Sequence, residues 1–432
     1  MTETKSILSS RFAGTFFGEQ GEALKLTIPL DSATQMAVDG LVAAGFRPLI
    51  VGGAVRDALR GRAPKDFDIE VHGAESFDEL RAAMKRLGKL DLAGKSFGVM
   101  KLRVRLADGS LSEEIDLSLP RRDSKTGEGH RGFTVEVDPQ MGLLEATARR
   151  DLTVNALFWD PTTRLAMDLH GGFRDMERGI LRHVSETFSE DPLRVLRVAR
   201  FSAKLGFTPA AETVELCRKL VGTFEELPLS RVTGELGKLI LEPHPELALD
   251  FLEASGWAEP LGFAGGVDES LSWHLKRGLA KGAEHFESPS ARRVIQLAIL
   301  ASKASEAMDR ERLLSYFAVT KAELKRALAI ADAPSAVALA TAQEVRQWAW
   351  DHSSITAREK LIFEDALEAE NSGEYQWSFD LFEEFGVLEG PESDLFDASA
   401  LISEHRAANP GLKSGPWIKA LLQEHRDLQY AR

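Results

Sequence analysis

The stretch LIVGGAVRDALRGRAPKDFDIEVHG, residues 49–73, decides how the first part of the chain folds. It opens with an apolar run that breaks at Gly52 and Gly53, and it closes on Asp66 and Asp68. The pattern predicts a strand up to the glycines, a short helix over AVRDALRG and a second strand over FDIEVHG. Glycines that end a strand and open a helix leave backbone N–H groups able to meet phosphate oxygens. We therefore interpret the glycine pair as a phosphate-binding turn rather than a plain turn.

Two carboxylates follow this turn closely. Residues i and i+2 of a strand point to one face, so Asp66 and Asp68 are predicted to project together. Like charges that close repel each other unless a cation lies between them, and their hard oxygen atoms suit Mg²⁺. Two-metal chemistry needs a further acid, and Asp116 is the candidate, because Ile115 and Leu117 on either side predict a strand. An exposed acid on an edge strand is the alternative interpretation of Asp116.

Composition narrows the class of protein. The chain has 432 residues, of which 44% are apolar and 28% charged, and this predicts a globular protein of about two to four domains. A net charge of -14 argues against non-specific coating of nucleic acid, although a local basic groove stays open. The single cysteine, Cys217, excludes an intramolecular disulfide, and no apolar run approaches the roughly 20 residues that span a bilayer. We therefore expect a cytoplasmic protein that is neither secreted nor inserted in a membrane.

The chain changes character at about residue 150. Before it, VMKLRVRL and EEIDLSL predict a pair of strands joined by the turn ADGS, and RRDSKTGEGHRGF, residues 121–133, predicts a mobile loop. After it, strand signals almost vanish and amphipathic helices follow to the C-terminus; one helix over DPLRVLRVARFSAKLGF is predicted to stop at Gly206. The expected class is α+β, with an α/β head followed by all-α parts.

Five motifs, in order, carry a family resemblance. They are LIVGGAVRDALRG with KDFDIEV, ARRDLTVNALFWD, MDLHGGFRDMERGILRHV, FSEDPLRVLRVARFSAKLGF and LPLSRVTGELGKLI. Together they resemble the class II tRNA nucleotidyltransferase and bacterial poly(A) polymerase superfamily over roughly residues 47 to 242. The resemblance implies a nucleotidyltransferase head over 1–148, a helical neck that recognises the base over 149–242, a helical body over 243–345 and a helical tail that binds tRNA over 346–432.

The resemblance also assigns roles to residues of this chain. Gly52, Gly53 and Arg56 are expected to hold the phosphates of a nucleotide, and Asp66 with Asp68 the metals. The ribose and triphosphate are expected to face Arg150, Asp151 and Asn155. Since Asp151 and Asn155 are four residues apart, one helical face can present both. The loop between the catalytic strands and RRD is expected to contact RNA through Arg121, Arg122 and Arg131.

Base recognition is predicted in the EDPLR segment. Asp191 and Arg194 are three apart at the start of a predicted helix, so they share one face, and a carboxylate accepts where a guanidinium donates. Glu190 is expected to orient the Arg194 guanidinium as a bidentate partner. Arg197 continues a basic stripe able to follow RNA or triphosphate, although a solvated helix face has the same spacing. By itself, EDPLR also fits an ordinary helix N-terminus with acids and Pro in its first turn.

Three functions fit these motifs. The resemblance favours template-independent addition of CCA to the 3′ end of tRNA from CTP and ATP, with two Mg²⁺ ions and release of pyrophosphate. Poly(A) addition is the first alternative, and a catalytically inactive RNA-binding descendant is the second. The acidic C-terminal region favours CCA addition, because the poly(A) branch typically carries a basic extension. The expected partners are the acceptor arm and 3′ end of tRNA together with CTP and ATP; no membrane and no obligate protein partner is expected.

Overall fold

A computed structural model describes residues 21–93, 99–125, 133–263, 269–304, 309–337, 339–368, 374–391 and 398–409, and positions 418, 421, 422 and 425. The described chain divides into two compact units. One contains the residues up to Arg231 together with Asp250–Trp257, and the other contains Val232–Leu249 together with the residues from Ala258 onward.

A mixed sheet of eight strands forms the centre of the first unit. Its strands are β1 (Glu22–Lys25), β2 (Arg47–Val51), β3 (Asp68–His72), β4 (Gly88–Ala93), β5 (Val99–Val104), β6 (Ile115–Ser118), β9 (Phe158–Asp160) and β10 (Leu165–Asp168), and between β6 and β9 the chain forms β7 (Arg121–Lys125) and β8 (Phe133–Val137). The order across the sheet is β1-β10-β9-β2-β3-β6-β5-β4. All neighbours are antiparallel except β3 and β6, which run parallel. The apolar side chains of Leu49, Val51 and Phe158 pack together on the sheet.

Helices and short strands complete the first unit. The α-helices are α1 (Ser32–Ala43), α2 (Gly53–Leu59), α3 (Phe77–Met84), α4 (Leu143–Ala148), α5 (Gly172–Arg178), α6 (Leu193–Leu205) and α7 (Ala211–Lys219); 3₁₀ turns lie at Thr153–Asn155, Glu186–Glu190 and Val221–Glu226, and β11 (Ile180–Leu181) pairs with β12 (Thr208–Pro209). Further along the chain, α8 spans Leu229–Leu239 and α9 spans Pro245–Ala254.

The described part of the second unit is helical. After α9 come α10 (Glu269–His285), α11 (Pro289–Lys303), α12 (Arg310–Phe317), α13 (Lys321–Asp332), α14 (Ala342–Asp351), α15 (Ala357–Leu367), α16 (Glu374–Glu384) and α17 (Ala398–Ala408). The starts of α13, α14 and α15 are fixed by capping boxes built on Thr320, Thr341 and Thr356. In each box the threonine hydroxyl and a glutamate three residues later satisfy backbone N–H groups at the helix start.

Most elements predicted from local patterns are confirmed. The glycine pair lies between β2 and α2, and FDIEVHG forms β3. The strands predicted over VMKLRVRL and EEIDLSL are β5 and β6, which pair antiparallel. The helix predicted before Gly206 is α6, and Gly206 ends it in the left-handed conformation with φ 71°. The α+β class, with a mixed-sheet head followed by helices, is therefore confirmed.

Two sequence interpretations are wrong in part. The loop predicted over 121–133 includes β7 at one end and the first residue of β8 at the other, and these two strands pair antiparallel. The charged RRDSK segment has no alternation of apolar and polar residues that would predict a strand. It forms one because its backbone pairs with the alternating strand FTVEV. Strands also continue past residue 150, because β9 pairs with β2 and β10 pairs with β9. The head boundary predicted at 148 therefore moves beyond Asp168, whereas the division into neck, body and tail stays a prediction.

No helix in the described ranges is long and apolar enough to cross a membrane.

Candidate active site

The glycine turn begins the site. Gly52 has φ +71° and precedes α2, and its N–H donates to Leu157 O at 3.0 Å. A Cβ atom at Gly52 would lie 3.3 Å from Arg150 Nη1. Glycine is needed here for two reasons, since it tolerates the positive φ and lets a guanidinium approach the turn. Gly53, the first residue of α2, lies beside Arg56, whose Nη2 would be 3.5 Å from an added Cβ.

Residues of the RRD segment reach this turn through the sheet. β9 follows the segment directly and pairs with β2, with Val51 opposite Phe158. The pairing brings Arg150, Asp151 and Asn155 beside the glycines. The segment itself forms a 3₁₀ turn, Thr153–Asn155, instead of the predicted helical face. Asp151 and Asn155 nevertheless meet, because Asn155 Nδ2 donates to Asp151 Oδ1 at 3.1 Å.

A buried polar chain joins α2, the RRD segment and α6. The Arg56 guanidinium, 2% exposed, donates through Nη1 to Asn155 Oδ1. Asn155 donates in turn to Asp151, and the other oxygen of Asp151 accepts from Arg197 Nε at 2.8 Å and Nη2 at 2.7 Å. The Arg56 and Arg197 guanidinium groups both lie over the ring of Phe201. Four of the predicted nucleotide-binding residues therefore form one connected group.

The Asp151 carboxylate is held in its charged form. Burial alone raises its pKa, but the Arg197 charge and the hydrogen bonds from Asn155, Arg197 and the Leu152 N–H outweigh burial and lower the pKa to about 2. Hydrogen bonds and a cation that favour the charged form have this effect. Asp151 is therefore an anion at neutral pH.

Two of the three predicted catalytic acids lie side by side in the sheet. Asp68, the first residue of β3, is paired in parallel register with Asp116 on β6. Because β6 lies between β3 and β5, the interpretation of Asp116 as an edge-strand acid is wrong. Asp66 lies two residues before Asp68, outside the strand; both are exposed and Phe67 between them is buried, so their projection to one side stays a prediction. Asp68 and Asp116 line a cavity of about 270 Å³ together with Arg121, Arg149 and Arg150, among others.

The electrostatics of this pair suit a cation. Asp68 is accessible to solvent at the cavity, but protein surrounds its other sides. This burial raises the pKa of Asp68; Arg150 opposes the change, while the charges of Asp116 and Asp66 raise the pKa further. Lys101, whose Nζ lies 3.8 Å from Asp116 Oδ1, partly compensates on the other side. Carboxylate oxygens that repel each other are the donor set that Mg²⁺ prefers. Within the described ranges, however, no three His, Cys, Asp or Glu side chains converge closely enough to hold a metal. The residues placed to bind a cation here are therefore Asp68 and Asp116.

The base-reading segment is built differently from the prediction. Asp191 precedes α6 in an extended conformation, and its carboxylate accepts from the Leu193 N–H at 3.2 Å and from Arg231 Nη2 at 2.8 Å. The Arg194 guanidinium donates to Thr187 O at 2.6 Å and to Arg149 O at 2.7 Å.

Glu190 is exposed and makes no hydrogen bond or ion pair with Arg194 in this part of the chain. Main-chain carbonyls therefore orient Arg194, and the prediction of a bidentate Glu190 partner is wrong for this structure.

Two functional candidates were missed by the sequence interpretation. Arg231 lies in the LPLSRVTGELGKLI motif, and only the fold shows that it reaches Asp191. Glu70 alternates with Asp68 along β3 and is 2% exposed, with Arg149 and Arg150 beside it. The alternation from Asp68 to Glu70 was the available signal for the second residue.

The predicted RNA-contacting loop is only partly described. Arg121 begins β7 and lines the cavity with Asp68 and Asp116. Arg122 follows it in the same strand, and Arg131 lies outside the described residues.

Comparison of the chain with known proteins finds two matching family profiles. The profile of the poly A polymerase head domain matches residues 49–182, and a profile described as "Probable RNA and SrmB-binding site of polymerase A" matches residues 206–261. The chain is 42% identical over 211 residues to a Multifunctional CCA protein of Pseudomonas aeruginosa, and 41% identical over 212 residues to one of Pasteurella multocida. Residues 49–182 therefore form a poly A polymerase head domain, and over about 211 residues the chain is similar to Multifunctional CCA proteins.

The sequence match and the structural match cover different lengths of the chain. The sequence match to the P. aeruginosa protein covers 48% of this chain and 48% of the relative, so it spans about half the length of the curated relatives. Solved structures share the fold over a longer stretch. A CCA-adding enzyme of Bacillus stearothermophilus in complex with CTP matches with a TM-score of 0.68 at 22% identity, over 93% of this chain and 94% of that one. A Thermotoga maritima CCA-adding enzyme complexed with tRNA matches with a TM-score of 0.58 at 18% identity, over 99% and 95%.

The matched head domain contains most of the residues that form the site. The glycine turn, Asp68, Asp116 and the RRD segment all fall inside the matched head domain, residues 49–182. Asp191 and Arg194 lie just beyond it and are joined to it by the hydrogen bond from Arg194 to the Arg149 carbonyl.

Proposed function

We propose that this chain is a template-independent RNA nucleotidyltransferase that adds CCA to the 3′ ends of tRNA, using CTP and ATP and releasing pyrophosphate. One observation carries the proposal. Arg194, the guanidinium of a pair with Asp191 that can read a base edge, donates through Nη2 to Arg149 O of the phosphate-site segment at 2.7 Å. The names of the relatives, Multifunctional CCA protein and CCA-adding enzyme, support the same activity.

The reaction is attack of a primer 3′-hydroxyl on the α-phosphorus of the nucleotide, with pyrophosphate leaving. The Arg150 guanidinium beside the glycine turn and the backbone N–H groups at the start of α2 lie where they can hold a triphosphate. Arg56, 2% exposed, and Gly52, whose N–H donates to Leu157 O, support the turn from within. Asp68 and Asp116, with Asp66 nearby, would hold Mg²⁺, which when bound would activate the attacking hydroxyl and stabilise the leaving charge. The Arg56–Asn155–Asp151–Arg197 chain fixes the arginine beside the turn before any nucleotide arrives, so less ordering is needed on binding.

The base-reading pair explains why one site takes both C and A. Cytosine and adenine each present an exocyclic amine beside a ring nitrogen that has no hydrogen. The Asp191 carboxylate can accept from the amine while Arg194 donates to the ring nitrogen. Uracil and guanine present a carbonyl and a ring N–H at those positions, and leaving such groups unpaired costs about 1–3 kcal/mol each. Arg231, which contacts Asp191, is part of this pair's support.

The wider assignment belongs to the same proposal. We infer that tRNA is bound through its acceptor arm and 3′ end, that residues 149–242, 243–345 and 346–432 act as neck, body and tail, and that Arg121, Arg122 and Arg131 contact the RNA. A cytoplasmic location fits a chain whose single cysteine, Cys217, is buried and leaves no disulfide to form within it.

Primer extension tests the activity directly. The chain is incubated with Mg²⁺ and one nucleotide at a time on three end-labelled substrates: tRNA lacking CCA, tRNA ending in CC, and an unstructured RNA. CTP is expected to add two residues to the first, ATP one residue to the second, and the third is expected to stay unextended. Asp191→Ala is expected to lose the preference for C and A over U and G.

The alternatives give different products in the same assay. The head-domain profile is named after poly A polymerase, and long ATP tails on any RNA would assign the chain to that branch. No extension by a folded preparation that still binds RNA would indicate an inactive descendant.

A further inference from the structure

A buried carboxylate that the reaction does not use lies two residues after Asp68. Glu70, on β3, is 2% exposed. A buried charge is unfavourable unless it is paired and hydrogen-bonded. Both oxygens of Glu70 have partners: Oε1 lies 3.0 Å from His72 Nε2, and Oε2 lies 3.5 Å from Arg149 Nη2 and 3.7 Å from Arg150 Nη2. The carboxylate therefore faces the two arginines that precede Asp151.

Glu70 offsets the burial of Arg150. The Arg150 side chain is 22% exposed, its Nη1 would lie 3.3 Å from a Cβ on Gly52, and its Nε is buried without a hydrogen-bond partner among the described residues. Burial lowers the pKa of Arg150, and Glu70 is the largest influence in the opposite direction. The arginine at the glycine turn thus depends on Glu70 for its main fixed counter-charge.

Glu70 reaches the base-reading residue through Arg149. The Arg149 side chain contacts Glu70, and its main-chain carbonyl accepts from Arg194 Nη2 at 2.7 Å. A shift of Arg149 therefore moves one of the two acceptors that orient the Arg194 guanidinium. One carboxylate is in this way connected to the triphosphate side and to the base side of the site.

We propose that Glu70 is a positioning residue that holds Arg149 and Arg150 in the orientation needed for the triphosphate and, through Arg149, sets the orientation of Arg194. This inference rests on the proposed nucleotidyl transfer. It makes Glu70 a determinant of nucleotide affinity and base choice without contact with the reacting atoms.

Glu70→Gln tests the proposal, because it keeps the size of the side chain and removes its charge. The matched control is Glu75→Gln, the same change at an exposed position after β3. For Glu70→Gln we expect the KM for CTP and ATP to rise about tenfold, as for loss of one charge-assisted contact. We also expect the kcat/KM ratio of CTP over UTP to fall, while Glu75→Gln matches the wild type. A purely structural role would instead lower the Tm and kcat with the KM and base ratio unchanged, and that result would overturn the proposal.

A double-mutant cycle shows whether Glu70 acts through Arg150. Glu70→Gln, Arg150→Gln and the double variant are compared by the Kd for CTP measured by calorimetry. Effects that are far from additive support the coupling, and fully additive effects contradict it.

Two further outcomes are separable. If Glu70→Gln does not fold, Glu70→Asp keeps the charge but withdraws it by one methylene; a raised KM for CTP supports the proposal and an unchanged KM contradicts it. If the folded wild type neither binds CTP nor extends tRNA, the proposed function fails. If the wild type is active and Glu70→Gln equals Glu75→Gln, only the role of Glu70 fails.

Discussion

The stability contributed by the buried Asp151 carboxylate is open to a direct test. Asp151 is 7% exposed and receives hydrogen bonds from Arg197, Asn155 and the Leu152 N–H. Its pKa falls from the ordinary 3.8 to about 2 in the folded protein. A shift of this size corresponds to about 2 kcal/mol of free energy of unfolding. Asp151→Asn keeps the shape and removes the charge, so the variant is expected to be less stable by about 2 kcal/mol at pH 7.

The direction of the pKa shift determines how the stabilisation by Asp151 changes with pH. The folded-state pKa lies below the unfolded-state value, so the contribution is complete above about pH 4 and is lost as the pH falls through about 2. About half of the difference between wild type and Asp151→Asn should remain at pH 3. Urea unfolding followed by circular dichroism at pH 7, 5 and 3 measures it, in the transition that includes the head.

An exposed acid provides the control. Asp91 is paired with Lys89 at 3.0 Å on the surface, where both side chains are more than half exposed. Asp91→Asn is expected to change the free energy of unfolding by less than about 0.5 kcal/mol at every pH. A deficit of Asp151→Asn that is absent at pH 7, or constant from pH 7 to pH 3, would refute the account of a buried carboxylate stabilised by Arg197.

Three further predictions concern the site. Gly52→Ala and Gly45→Ala both place a side chain at positive φ, +71° and +87°, but only the Cβ at position 52 meets Arg150, at 3.3 Å. Each should cost on the order of 1–2 kcal/mol in urea unfolding, whereas only Gly52→Ala should raise the KM for CTP; equal KM values in the two variants would contradict the role of the turn. Asp68→Asn should lower kcat by on the order of 100-fold and raise the Mg²⁺ concentration for half-maximal activity, and an unchanged Mg²⁺ titration would speak against the metal assignment. Arg231→Gln removes the partner of Asp191 and should raise UTP and GTP incorporation relative to CTP by about tenfold; unaltered relative kcat/KM values would exclude a role in base choice.

Local patterns sufficed for the parts of the fold that depend on neighbours in the chain. The β2–α2–β3 segment follows from an apolar run, two glycines and a second apolar run, and α6 follows from its amphipathic spacing and Gly206. The placement of Asp68 and Asp116 on strands was within reach for the same reason, although the pairing of β3 with β6 that makes them neighbours was not. These features needed no knowledge of how distant segments meet.

Several of the missed features depend on distant pairing. β9 has three residues, and its place in the sheet depends on pairing with β10 on one side and with β2, more than a hundred positions earlier, on the other. A carbonyl acceptor such as Arg149 O is present at every residue, so no side-chain pattern marks it as the partner of Arg194. The error at Glu190 is the opposite one. Its proximity in sequence suggested a bond to Arg194, but main-chain carbonyls accept the hydrogen bonds of that guanidinium instead.

After residue 150 the chain returns to the sheet as β9 and β10. A head domain exchanged between related proteins must therefore include these two strands to fold. A head domain that ended at residue 148 would lack β9. The apolar strand β2, Arg47–Val51, would then have one edge without a hydrogen-bonded neighbour. A viable graft must extend to Asp168, and it then carries Arg150, Asp151 and Asn155 with it. Such a graft moves Asp68, Asp116 and the RRD segment together, and its new parent must supply equivalents of Arg194 and Arg197, which bond to Arg149 O and Asp151.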